Sequence, residues 1–187
     1  MGFRRYPHKQ YTLMTTLKNE LVGTWSLLSY IEVPLNGLDS TFPMGKNPKG
    51  SLIYGPDGHM SVQISSSERN LFSSNDRFIV NEEELLSCVK DFIAFAGSYQ
   101  IDNHAATVTY AIETSSFPNW EGQLQVRKID FEGDILYLKS VEPILSGGSY
   151  VNSYMTWQRL EKVEMQSRRE RFVEYNALKR EKTAFDY

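Results

Sequence analysis

Cysteine, histidine and net charge are all scarce in this chain, and each scarcity removes a class of function. Of 187 residues, one is cysteine (Cys88), three are histidine (His8, His59 and His104), and the formal net charge is -3. A lone cysteine excludes an internal disulfide. Together with the lack of any Asn-x-Ser/Thr acceptor, it favours a reducing compartment. None of the histidines has metal-ligand spacing, so no metal site is expected. Gly-x-Gly-x-x-Gly, the Walker loop and the Gly-x-Ser-x-Gly elbow are all missing, which removes dinucleotide, phosphoryl-transfer and α/β-hydrolase chemistry and leaves no cofactor implied. The weak net charge supplies no drive toward nucleic acid or an anionic membrane. No run approaches the length of a membrane span. The first twenty residues hold Arg4, Arg5 and Lys9, no acidic residue before Glu20 and no apolar run of the secretory kind; their basic character is shared with organelle transit peptides. The expectation is a soluble, cytoplasmic protein.

What the chain does have is aromatic residues and turns. Aromatics make up 13%, with 11 Tyr and 10 Phe, a level that suits strands or an aromatic-lined pocket. Val22 to Val33 reads as a long first strand ended by Pro34 and the Asn36-Gly37 turn. A hairpin follows, with Ser51 to Tyr54 and His59 to Ile64 joined through a four-residue Gly55-Pro56-Asp57-Gly58 loop. That loop length sets Tyr54 opposite His59 and Ile53 opposite Met60. The polar stretch Ser65 to Val80 is long enough to be a lid. Asn81 before Glu82, Glu83 and Glu84 marks a helix start, and Leu85, Val89 and Phe92, with Leu86 and Ile93, form a face to dock it on the sheet. Further strands are expected near Gly97 to Ile101, Thr107 to Ser115, Leu124 to Phe131, Ile135 to Ser140 and Tyr150 to Arg159. The total is about eight antiparallel strands with one inserted helix, an all-β barrel pattern. Residues 1–20 read as an N-terminal arm, 21–160 as the barrel, and 161–187 as a charged helical tail. The tail's thin stripe of Phe172, Tyr175 and Leu178 would suit a homodimer contact.

Alternation along the strands separates inward from outward positions. In Leu124 to Phe131 one face carries Gln125, Arg127, Ile129 and Phe131, placing Arg127 on the apolar side, where an isolated charge needs a partner. The preceding strand offers Glu113, on a small polar face with Thr109, Ala111 and Ser115. Glu113 and Arg127 are therefore candidates for a cavity-facing proton-transfer or orienting pair, with a structural ion pair as the plain alternative. In the hairpin, Tyr54, His59, Ser61 and Gln63 share a face opposite Met60, Val62 and Ile64. That polar face is surface by default, and lines the interior only if the barrel holds a polar ligand. Tyr99 is a candidate hydrogen-bond donor or weak acid. Trp120, in Phe117-Pro118-Asn119-Trp120, is a candidate rim aromatic.

Taken together, Leu21-Val22-Gly23-Thr24-Trp25, Gly50-Ser51-Leu52-Ile53-Tyr54, Pro56-Asp57-Gly58-His59-Met60-Ser61, Phe95-Ala96-Gly97-Ser98-Tyr99 and Phe117-Pro118-Asn119-Trp120 leading to Gln125-Val126-Arg127 resemble the lipocalin-like domain family of bacteria and fungi. The resemblance spans about residues 21–160 and implies an eight-stranded antiparallel barrel with a ligand inside. Fungal members are often associated with secondary-metabolite pathways, where barrels of this general kind act as cofactor-free cyclases or isomerases. The chain departs from the family at Tyr110 and Ala111, where relatives often carry histidines, so no acid–base role of those histidines carries over. The expected function is thus cofactor-free cyclisation, isomerisation or dehydration of a hydrophobic oxygenated metabolite such as a polyketide or terpenoid. Glu113, Arg127 and Tyr99 are the catalytic candidates, and Gln63, Tyr54, Ser61, Tyr110, Trp120 and Gln125 the ligand-binding ones. Carriage of the same class of ligand without chemistry is the alternative.

Overall fold

The computed structural model of the protein describes residues 16–160. The expectations for residues 1–15 and for the tail at 161–187 lie outside the described residues. The element order is α1 (Leu17–Leu21), β1 (Gly23–Pro34), β2 (Lys49–Tyr54), β3 (His59–Ser65), α2 (Glu82–Lys90), β4 (Phe92–Asp102), β5 (Thr107–Ser115), β6 (Leu124–Glu132), β7 (Ile135–Ser140), β8 (Ile144–Ser146) and β9 (Ser149–Arg159). Strands β1 to β7 pair antiparallel in chain order, β7 pairs with β9, and β9 returns to β1, so β1 through β7 with β9 close an eight-stranded up-and-down barrel. The short β8 extends the wall along the start of β9. Closure pairs each of the eight barrel strands on both sides, which is the physical advantage of the architecture.

Inward residues build one continuous core that includes Trp25, Leu52, Val108, Leu136 and Trp157, all at most 1% exposed. One end of the barrel is sealed by α1 and the last residue of β9. The Arg159 guanidinium stacks 4.1 Å from the Trp25 ring centroid and donates to the carbonyls of Val22 and Glu20. The Trp25 indole donates to Leu21 O at 2.9 Å. Gly23 has φ +143°, and a Cβ there would lie 2.9 Å from Arg159 Nη1, which explains why glycine opens this strand.

Two bulges decide which side chains face inward. In β1 the register with β9 slips between Leu27 and Ser29. Leu28 is left half-exposed, and Tyr30 and Glu32 turn into the barrel beside Trp25 and Leu27. Between β4 and β5 the pairing steps from Ala96↔Thr114 to Gly97↔Ile112, so Glu113 is the extra residue of a bulge. A Cβ on Gly97 would run into the Ala111 carbonyl oxygen, so this crossing needs glycine.

The β2–β3 hairpin differs from expectation by one residue. Gly55 and His59 close a three-residue loop in which Gly58 has φ +91° and donates its N–H to Gly55 O, so Tyr54 pairs with Met60 and Ile53 with Ser61. A turn followed by a left-handed glycine is the usual three-residue hairpin, and the slip reverses the face of Tyr54.

Helix α2 begins as its sequence dictates. Asn81 Oδ1 accepts from Glu84 N and Glu84 Oε2 accepts from Asn81 N, both at 3.0 Å. It does not dock as expected: Leu85, Leu86 and Val89 are exposed and no residue of α2 is buried. The polar segment before it folds back on the helix through Ser73 N donating to Glu84 Oε1 at 2.6 Å.

Candidate functional site

The interior holds a cavity that runs from Trp157, near the sealed end, to Ile93, Trp120 and Ile144 at the opposite strand ends. Its volume is about 20 Å³, little more than one water needs. Side chains must move to admit anything larger. The rim supplies movable parts. Trp120, on a 3-10 turn at Pro118–Trp120, meets Phe95 and Phe117 edge-on, with centroids 5.8 and 5.7 Å apart. No residue of the 66–80 segment lines this cavity.

The lining is two-sided. Strands β2 to β5 contribute Leu52, Val62, Ile64, Phe95 and Tyr110, an apolar and aromatic wall. Behind that wall Tyr54 and Tyr110 share a short hydrogen bond through their hydroxyls. The opposite strands contribute Tyr30, Arg127, Leu138, Met155 and Trp157. They also carry a belt of four buried polar residues, Glu32, Ser153, Ser140 and Arg127, on β1, β9, β7 and β6, of which Arg127 alone lines the cavity. The belt is stepped strand to strand, with Glu32 opposite Ser153, Ser153 N donating to Ser140 Oγ at 3.0 Å, and Ser140 opposite Arg127.

Arg127 is the centre of the site. It is 6% exposed and lines the cavity. Among the described residues its guanidinium makes one hydrogen bond, Nη2 to Gln125 Oε1 at 3.0 Å. The two ion pairs found there, His59 with Asp57 and Arg159 with Asp134, lie elsewhere. Burial pulls the Arg127 pKa down, and the neighbouring Tyr110, Tyr30 and Tyr54 pull the other way. A guanidinium carries five N–H donors, so most of its capacity is unspent among the described residues. Trp157 adds another donor: it lines the cavity, and its indole N–H has no acceptor among the described residues. Burial pushes the Tyr110 phenol up to about 12 and the Tyr54 phenol well above its ordinary value. Both stay protonated at neutral pH.

The candidates named from sequence divide cleanly. Arg127, Gln125, Tyr54, Tyr110 and Trp120 face the interior, Gln125 and Trp120 being half-buried. Tyr54 gets there only because the hairpin register differs from the expected one. Glu113 does not: it is exposed at the β5 bulge, and Val108, Tyr110 and Ile112 face inward in its place. The Glu113–Arg127 pair is therefore not formed. Gln63 and Ser61 also lie on the outer surface, since Met60, Val62 and Ile64 hold the interior positions of β3. Tyr99 is buried, but its hydroxyl donates to Gly55 O at 2.8 Å and ties down the hairpin loop; it does not line the cavity. Sequence reading missed Tyr30 and Glu32. The Tyr30 hydroxyl donates to Glu32 Oε1 at 2.6 Å.

The family model for the lipocalin-like domain matches residues 22–160, the whole barrel. This chain belongs to the lipocalin-like domain family. It is also similar to a 4'-hydroxy-3'-methoxypropiophenone carrier protein of Aspergillus oryzae, with 33% identity over 107 residues, covering 54% of this chain and 96% of that protein. Among the described residues, no His/Cys/Asp/Glu group suited to a metal ion occurs and no helix is long and apolar enough to cross a membrane.

Proposed function

We propose that this lipocalin-like barrel binds and carries a small oxygenated aromatic molecule, held in its interior with an oxygen against Arg127. The observation that carries this reading is a buried guanidinium with one hydrogen bond and no ion pair, set against an aromatic wall. A buried charge left that poorly partnered is costly for the fold alone. A ligand carbonyl, phenol or ether oxygen would satisfy it. The apolar wall would take the ring, as in most small-molecule sites. The related carrier protein supports the same ligand class and supplies a first compound to try.

Carriage accounts for the interior better than conversion. Isomerisation or cyclisation needs a base or acid titrating near neutral pH within reach of the substrate. With Glu113 outside and the Tyr99 hydroxyl bound to Gly55, the expected catalytic set reduces to Arg127, which anchors but does not move protons. The raised phenols of Tyr54 and Tyr110 are poor acids. The test is calorimetric titration with 4'-hydroxy-3'-methoxypropiophenone, followed by mass spectrometry of the recovered compound. Saturable binding and unchanged compound support carriage. Catalytic conversion would establish an enzyme instead, and no binding of this or related aryl ketones would remove the reading.

A further inference from the structure

Resting on that binding role, the geometry points to a specificity device: Glu32 fixes the Tyr30 hydroxyl as an acceptor toward the cavity, so the barrel selects ligands bearing a hydroxyl that can donate. The argument is one of proton placement. A phenol has one proton and two lone pairs. The Tyr30 proton is committed to Glu32 Oε1 at 2.6 Å, in a place where both residues are at most 4% exposed. Tyr30 lines the cavity, so what it offers there is oxygen lone pairs. Burial first, then the charge of Glu32 and the hydrogen bond to it, raise the phenol's pKa, so it does not ionise and lose this polarity.

The other polar groups of the lining have the opposite sense. Arg127 can only donate, and the Trp157 indole N–H can only donate. Tyr54 and Tyr110 share one hydrogen bond that either hydroxyl can donate, so the sense Tyr110 presents to the cavity is not fixed. Tyr30 is therefore the one hydroxyl of the lining whose free capacity is fixed as an acceptor among the described residues. A ligand with only acceptor oxygens would leave those lone pairs buried and unmatched, and sites built to bond a hydroxyl reject analogues without one. Glu32 does not line the cavity; it is a positioning residue that acts through Tyr30.

The experiment compares a hydroxyaryl alkyl ketone with two relatives, the same ketone lacking the hydroxyl and its O-methyl ether. Each is titrated calorimetrically into the full chain and into Tyr30→Phe and Glu32→Gln. Wild type should bind the hydroxyl compound at least about tenfold tighter than either relative. Tyr30→Phe should bind all three within about threefold and hold the hydroxyl-free ketone more tightly than wild type does, because no lone pair is then left unmatched. Glu32→Gln should narrow the preference, because a carboxamide can also donate to the Tyr30 oxygen. Equal wild-type affinity for the three probes, or a preference that survives in a folded Tyr30→Phe protein, overturns this inference and leaves the binding role standing. Failure of all three to bind wild type would overturn both.

Discussion

Replacing Arg127 with methionine should make the protein more stable and a worse binder at once. In the folded barrel the guanidinium is buried, holds one hydrogen bond, to Gln125, and forms no ion pair among the described residues. Desolvating a charge costs several kcal/mol even after relaxation. A charged hydrogen bond returns about 1.5–3 kcal/mol. Methionine removes both terms, leaves half-buried Gln125 free to meet water, and fills most of the space with a flexible apolar chain. The volume lost costs roughly 0.5–1 kcal/mol. The balance is a gain of about 1–2 kcal/mol, or a melting temperature higher by about 2–8 °C for a chain of this size. The same change removes the ligand's charged partner, weakening binding about 10- to 100-fold. Thermal melts and calorimetric titration of one preparation read both effects. A variant destabilised by about 2 kcal/mol or more would show that Arg127 holds the barrel together. Unchanged affinity would show that the ligand's oxygen goes elsewhere.

Other outcomes follow from the same geometry. Glu113→Gln should change neither stability, by more than about 0.5 kcal/mol, nor binding, since Glu113 is exposed at a bulge; a large loss of binding in titration would return it to the site. Gly97→Ala should cost about 2 kcal/mol or more in chemical denaturation, because its Cβ meets the Ala111 carbonyl. Trp120→Ala should speed ligand release in stopped-flow displacement, since Trp120 lines the rim and packs on Phe95 and Phe117. Burial raises the pKa of Tyr30, Tyr54 and Tyr110. The native state therefore holds protons that the unfolded chain releases near pH 10. That stability is fully present below pH 10 and falls as pH rises above it, by up to about 1.4 kcal/mol per pH unit for each phenol. Denaturation midpoints from pH 7 to 12, read beside tyrosine absorbance, check the sign.

The barrel was legible in the sequence because its strands alternate strongly and are separated by glycine turns. The inward face of β6, with Arg127 on it, follows directly from that alternation. The errors cluster where the count of two breaks. The β1 bulge at Leu28 reverses the alternation, so Tyr30 and Glu32, which strict counting places outside, turn inward. The hairpin loop is one residue shorter than the Gly55 to Gly58 count implies, which moves Tyr54 inside and leaves Ser61 and Gln63 on the outside. A signal for β5 was present: Val108, Tyr110 and Ile112 make a better core face than Thr109, Ala111 and Glu113. A buried arginine's need for a charged partner points the other way, toward Glu113. No bulge signal stands in the local sequence of β1, so the Tyr30–Glu32 pair needed three-dimensional pairing to be seen.

The most direct test is a crystal structure of the protein with 4'-hydroxy-3'-methoxypropiophenone. The account predicts the aromatic ring inside the barrel against Phe95 and Tyr110, with a ligand oxygen about 2.7–3.2 Å from an Arg127 nitrogen and the Trp120 side chain displaced to admit it. A ligand on the outer surface, or one inside that leaves Arg127 with Gln125 as its sole partner, would contradict it.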